Sequence, residues 1–293
     1  MEIVKPIPVT PAMVTTNAVN ADADYNPATN YAEGAKCTHD RRIWLSLQAA
    51  NTGHTPGASG SEAWWSDAGP SNQWAMFDAE VGTVTTRGDS LQVTLAPIAA
   101  PTVALLNVYA KTAQCVSTHG ATTVYDKTVS LWDTSVISDW AEYFFNEPEF
   151  RTEAIFDGLP AVPGQTVTIT LQATGATVEC GMCVPGKPFD VGMEKVGLKR
   201  SGIDYSTVTF DVFGKATIKR LGYAREVSTQ TMLNNAAFDR IARRLDQIAS
   251  VPVLVLSGRP RFDSTVVYGL VSYSLDLALY SYSYASIDVK GLI

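Results

Sequence analysis

Two cysteines three positions apart, Cys180-Gly181-Met182-Cys183, have the spacing of half a zinc ribbon or of a redox pair. A zinc site needs two further ligands. No second pair follows, and His39, His54 and His119 all lie far from it in the chain. A redox pair opens a helix, where its thiolate is stabilised; here Gly181 and the following Val184-Pro185-Gly186 read as a strand end and a turn. Cys37, Cys115, Cys180 and Cys183 are therefore expected to be reduced, structural thiols, with no metal and no cofactor. Nucleophilic catalysis would join a Ser or Cys to a His and an orienting acid. Ser117-Thr118-His119 offers two of the three, but no Gly-x-Ser-x-Gly elbow is present and a surface-loop histidine is the plainer reading. Glycoside hydrolysis would need two carboxylates across a cleft. Asp78, Glu80, Asp139, Glu142, Glu147 and Glu149 supply acids, and Asp139-Trp140-Ala141-Glu142-Tyr143-Phe144-Phe145 joins acids to aromatics. That stretch reads more simply as an amphipathic turn packing its rings onto a sheet. With no phosphate loop, dinucleotide fingerprint or His-x-x-x-His spacing either, the chain is expected to bind rather than catalyse.

The bulk properties narrow what it binds. The 293 residues are enough for two or three domains, 46% are hydrophobic and 17% charged, which suits folded cores. A formal net charge of -7 gives no support to general nucleic-acid binding. The acid is concentrated before about residue 190, while Lys195, Lys199, Arg200, Lys215, Lys219, Arg220, Arg225, Arg240, Arg243 and Arg244 follow it. Solvated faces are the plain reading of that basic tract, and a functional patch is the other. Every apolar run is shorter than the roughly 18 residues of a spanning helix. The start, Met1-Glu2-Ile3-Val4-Lys5-Pro6, lacks the pattern of a signal peptide, so synthesis in a cytoplasm is expected.

Three textures divide the chain, at 1–78, 79–190 and 191–293. The first opens on an extended tract from Lys5 to Thr16, where Pro6, Pro8 and Pro11 forbid a helix. Polar loops carrying Tyr25, Tyr31, Trp44, Trp64, Trp65 and Trp74 follow. In the second, Ser90–Leu95, Thr123–Leu131 and Thr166–Leu171 alternate with period two between Gly/Pro/Asp turns. They predict an antiparallel β-sandwich, jelly-roll-like. The third predicts a hairpin around Asp211–Lys215 and then one helix, capped by Ser228 or Thr229, with Leu233, Ala237, Ile241, Leu245 and Ile248 on one face. Pro252 ends it, Val253–Leu256 reads as a buried strand, and Ser264–Asp288 reads as a long alternating hairpin, giving an α+β domain. The fold class expected is mainly β and multi-domain.

The aromatic segment carries a resemblance. Tyr25-Asn26-Pro27 to Cys37, then Trp44-Leu45-Ser46-Leu47, then Asn51-Thr52-Gly53-His54-Thr55-Pro56, then Trp64-Trp65 follow the order of the small chitin-binding type of carbohydrate-binding module, families 5 and 12. The resemblance spans about 50 residues; the family usually begins on a Trp where this chain has Tyr25, and Trp65 directly follows the usual single Trp. Rings in so small a domain serve either as its core or as a platform for a pyranose face. By position Trp44 and Trp64 are expected in the core, and Tyr25 and Trp65 at the surface as candidate carbohydrate contacts.

From Asn72-Gln73-Trp74-Ala75-Met76-Phe77-Asp78 to the closing Tyr284–Leu292, the rest resembles a tailed-bacteriophage virion protein of tail and baseplate clusters. The resemblance implies a structural component located in the virion, made in the host cytoplasm, that forms homo-oligomers and meets other phage tail proteins. Host-surface polysaccharide would be a further contact through the N-terminal module. A soluble chitin- or peptidoglycan-binding protein without catalysis is the alternative. For assembly, the alternation of the closing hairpin puts Tyr268, Tyr280, Tyr282 and Tyr284 on the face turned away from the helix, the candidate assembly surface.

Overall fold

The computed structural model describes residues 1–80, 82–133, 139–140, 149–210, 212–219, 222–258, 263–278 and 281–292. The fold is mainly β and multi-domain, built from antiparallel strands with one main helix. The chain forms two compact units. One comprises Val9–Ala99 and Ala104–Cys183; the other comprises Met1–Pro8, Ala100–Val103 and Val184–Ile293. The first eight residues thus group with the C-terminal part, whereas the sequence had placed them with the aromatic module.

In the first unit, the aromatic module is a three-stranded sheet of Lys36–His39, Arg42–Ser46 and Trp65–Pro70. After it in the chain the alternating strands expected from the sequence are present: Ser90–Leu95 and Thr166–Leu171 lie within longer strands, and Thr123–Leu131 shifts by one residue to Thr122–Ser130. Thr85–Ile98 pairs with the strand beginning at Gln165, and so does Thr112–His119, which pairs in turn with Thr122–Ser130. Leu91, Val93 and Leu95 alternate inward against Val167, Ile169, Leu171, Ala113 and Cys115, all buried. The register with Thr85–Ile98 slips between Gln172 and Thr177, where the partner pairing resumes at Gly88. A bulge of this kind bends a strand without ending it. Beyond Cys183 the strand runs on to Asp190 rather than stopping at a turn, because Gly186–Asp190 find a partner strand in Glu2–Pro6. Thr102–Tyr109 pairs with it as well. Its first five residues are buried, so it shows no alternation to read.

In the second unit, Glu2–Pro6 is a central strand, paired with Gly186–Asp190 on one side and Leu254–Leu256 on the other. Pro6 sits at its last position, beyond the end of the ladder with Leu254–Leu256. Val253–Leu256 is buried throughout, as its four apolar residues demand. It leads into the long hairpin Val266–Asp276 and Tyr282–Gly291, which pairs with Tyr223–Asn234. One face of this sheet, with Val227, Leu233, Val255, Val267, Ala285, Ile287 and Val289, packs on Ile241, Leu245 and Ile248.

The helix is shorter than expected. Residues Tyr223–Asn234 are strand, so Ser228 and Thr229 cap nothing. Asn234 is the cap: its side-chain oxygen accepts from the Ala236 N–H at 2.9 Å and starts a 3-10 turn, Asn235–Ala237, that runs into the α-helix Phe238–Asp246. Leu233 reaches the core from the strand, and Ile248 from beyond the helix end. The hairpin around residues 211–215 is present, joining Thr207–Phe210 to Ala216–Lys219 as a separate two-stranded sheet.

Candidate functional site

Three elements of the first unit shape a cleft of about 340 Å³. The Pro11–Thr16 tract lies along one side, Asp24–Tyr25 and Thr38–Arg41 of the module supply another, and Ser71–Trp74 closes it. The local chain explains the geometry. Strands Lys36–His39 and Arg42–Ser46 are joined by a two-residue turn at Asp40-Arg41, with φ of +45° and +67°. A turn with both central residues in the left-handed region matches the twist of the strands and normally takes Asn-Gly. Holding an arginine there costs on the order of 1 kcal/mol. Arg41 is held by its ion pair to Asp40 at 3.1 Å and by lying over the Trp74 ring at 4.9 Å.

Trp74 in turn packs against Phe77. Next to it the Gln73 side chain donates to the Ala18 carbonyl at 2.9 Å, while its backbone N–H donates to Asn20 at 3.1 Å. These contacts pin the Trp74 segment to residues 18–20. On the module side, Tyr25 is half-buried between His39, in an edge contact at 5.4 Å, and Tyr31, stacked at 5.8 Å. The Tyr25 hydroxyl is buried, and no described group is bonded to it. The cleft therefore combines two aromatic rings with the carboxylates of Asp24 and Asp40, the Arg41 guanidinium and the His39 imidazole. Flat rings beside bidentate polar groups suit a ligand with apolar faces and hydroxyl edges.

The aromatic residues sort differently from expectation. Trp65 is 3% exposed and forms the module's core with Tyr31 and Cys37, its indole N–H donating to the His54 carbonyl at 2.7 Å. It is a core residue and offers no surface to a sugar, a correction to its expected exposure. Trp44 and Trp64 are the half-buried ones. Trp64 stacks face to face on His54 at 3.8 Å, and Trp44 lies against Gly57. Gly57 has φ +75°, and a Cβ there would sit 3.1 Å from the Trp44 ring. Tyr25 lies in the cleft, and Trp74 joins it although no sequence motif marked it for that role.

Of the closing-hairpin tyrosines, Tyr282 and Tyr284 are exposed, with Lys195 Nζ over the Tyr284 ring at 3.6 Å. Tyr268 is buried, so its expected place on an open surface is corrected; burial raises its hydroxyl pKa. Tyr280 lies outside the described residues. The face that Tyr282 and Tyr284 share also carries Ser272, Ser274, Ser286 and Asp288, a wet surface more than an apolar one.

The cysteines are all free and buried. Burial, then the Asp126 carboxylate, pushes the Cys115 thiol up to about 12. Burial pushes Cys180 to about 12 against a hydrogen bond to the Met182 carbonyl, and holds Cys183 well above the ordinary range. Such thiols are held protonated. Among the described residues no three His, Cys, Asp or Glu side chains gather in a metal-holding group. Ser117 is buried while His119 is exposed at the strand end. Of the acidic aromatic stretch at 139–145, only Asp139 and Trp140 are described, and Trp140 is exposed. No helix among the described residues is long and apolar enough to cross a membrane.

Compared with protein families, curated proteins and solved structures, the chain matches none.

Proposed function

We propose that this chain is a structural, non-catalytic component of a tailed-phage virion. It assembles with copies of itself and with neighbouring tail or baseplate proteins, and its aromatic module contacts a host-surface glycan. The virion assignment rests on the sequence resemblance from Asn72 to Leu292. The observation that carries the glycan contact is the cleft in which Tyr25 and Trp74 are set among Asp24, Asp40 and Arg41. A pyranose stacks its C–H face on such a ring while its hydroxyls take up the charged rim, which is how aromatic and polar groups share the work in small-ligand clefts.

The test has two parts. Purified chain is passed over chitin and over insoluble peptidoglycan, and titrated calorimetrically with soluble fragments of whichever retains it. Retention that falls about tenfold or more in Trp74→Ala supports the cleft, since loss of a stacking ring costs at least 1–2 kcal/mol. Retention unchanged by that variant rules the cleft out. Antibody raised to the chain is then used to label phage particles in the electron microscope. A chain that is retained on glycan yet monomeric and absent from particles is the soluble polysaccharide-binding protein instead.

A further inference from the structure

The hairpin Thr207–Phe210 and Ala216–Lys219 is amphipathic and its apolar side is uncovered. Its register pairs Val208 with Ile218 and Phe210 with Ala216, and residues directly opposite share a face. That face is therefore Val208, Phe210, Ala216 and Ile218, while Thr207, Thr209, Thr217 and Lys219 make the other. Every one of these residues is exposed, and the turn adds Val212 and Phe213 at 92% and 91%. Among the described residues no third strand joins the pair. A two-stranded hairpin is at best marginally stable alone in water. Strict alternation of this kind specifies a register only where one face is buried.

Charge indicates what buries it. Residues 195–225 hold seven Lys and Arg against two Asp, a net of +5 in a chain of -7. The unit Val9–Ala99 with Ala104–Cys183 holds seven Lys and Arg against eighteen Asp and Glu, a net of -11. The unit bearing the hairpin is +4. Each copy thus carries a basic element with an apolar face and a separate unit of strongly acidic composition. A membrane is the poorer occupant, because both edges of the hairpin would bring unpaired backbone groups into hydrocarbon.

We infer that the hairpin is a docking arm that packs its Val208–Phe210–Ile218 face onto the acidic unit of a second copy of this chain. The contact is head to tail, so it closes into a ring or continues as a chain of copies. Opposite charge steers the encounter and the apolar face supplies the burial. This deepens the assembly reading above and rests on its self-association.

The full chain is studied by sedimentation velocity from low to high micromolar concentration, at low and high salt, as wild type, as Phe210→Asp with Ile218→Asp, and as Lys215→Glu with Lys219→Glu. Association that grows with concentration, weakens with salt and loses about tenfold or more in affinity in both variants is the expected result. The lysine pair leaves the apolar face intact, so it tests the arm even if the aspartates unfold it. Carbodiimide cross-linking of mixed light and heavy copies should join a lysine within residues 195–219 of one copy to a carboxylate within residues 9–183 of another. Association untouched by both variants overturns the arm and leaves the assembly reading standing. A chain monomeric throughout overturns both. Monomers that bind phosphatidylcholine–phosphatidylglycerol vesicles through Phe210 overturn the arm in favour of a membrane.

Discussion

The backbone amides of Tyr31 and Asn51 each donate to the other's carbonyl, at 3.0 and 3.1 Å, closing the aromatic module around a single buried asparagine. The Asn51 side chain completes the closure. Its amide donates to Ser46 Oγ at 3.0 Å and to the Trp64 carbonyl at 3.3 Å, and its Oδ1 lies 3.1 Å from His54 Nδ1. One residue thereby ties the Tyr31 loop to the strand edge and to the loop that precedes Trp65. Asn51→Ala is expected to destabilise the module by about 2–4 kcal/mol, because three partners lose a bond at once, the one to Ser46 fully buried. Asn51→Asp keeps the shape but turns a donor towards Trp64 into an acceptor and buries a charge, so it should be no milder. Chemical unfolding followed by tryptophan fluorescence measures both, and a loss below half a kcal/mol in Asn51→Ala would refute the role.

Tyr25 makes the opposite case. Its hydroxyl is buried beside the cleft without a bonded partner among the described residues, and leaving a polar atom so placed is costly. Tyr25→Phe keeps the ring contacts to Tyr31, His39 and Trp65. The variant should be as stable as the native chain or up to about 1 kcal/mol more so. Thermal unfolding decides, and a clear drop in midpoint would mean that the hydroxyl is satisfied in solution. The same variant titrated with glycan reports whether the hydroxyl is used by a ligand, since the ring itself is unchanged.

What was legible in the sequence followed physical locality. Period-two alternation in Ser90–Leu95 and Thr166–Leu171 forecast buried strands, because Leu91, Val93, Leu95, Val167, Ile169 and Leu171 all point to one side. The helix starts later than its periodicity predicts because Leu233 satisfies two periods. It lies four residues before Ala237, as a helix requires, and it also ends the strand series Val227, Thr229, Thr231, Leu233, buried at every second residue. Threonines at two of those buried positions hid the alternation. Trp64 and Trp65 differ by one step, and which of them enters the core is decided by Tyr31 and Cys37 from elsewhere in the chain. The cleft depends on Arg41 meeting Trp74 across 33 positions, a pairing no local pattern carries. The hairpin at 207–219 was readable as a turn between strands; that its apolar face stays uncovered is a fact of the tertiary structure alone.

The choice of buried helix face is open to a paired substitution. Ile241 is buried against the sheet while Arg243, two residues on, is exposed. Ile241→Asp places an unpaired carboxylate in that core and should cost on the order of 3 kcal/mol or more. Arg243→Asp should change stability by roughly half a kcal/mol or less. Urea unfolding monitored by circular dichroism compares the two, and equal effects would mean that the helix is packed on another face.

The buried thiols predict how stability responds to alkali. In the unfolded chain a cysteine ionises near pH 8.5. In the folded chain Cys115 and Cys180 stay protonated to about 12, and Cys183 is raised as well, each chiefly by burial. The folded state therefore binds more protons than the unfolded state between those values, and stability falls as pH rises through that window. Below about pH 8 the contribution is present in full; above it, each thiol costs about 1.4 kcal/mol for every further pH step until its folded value is reached. Cys115→Ala with Cys180→Ala, although it lowers stability at neutral pH through lost packing, should flatten the alkaline slope of the urea midpoint by roughly the share of two thiols. The same burial predicts that at pH 8 a disulfide-exchange reagent reacts slowly with the native chain and rapidly with all four cysteines once it is unfolded in urea. Fast native labelling of Cys115 or Cys180, or a slope that the double substitution leaves unchanged, would show that these thiols are open to solvent and that the packing around the long Gln165–Asp190 strand is looser than described.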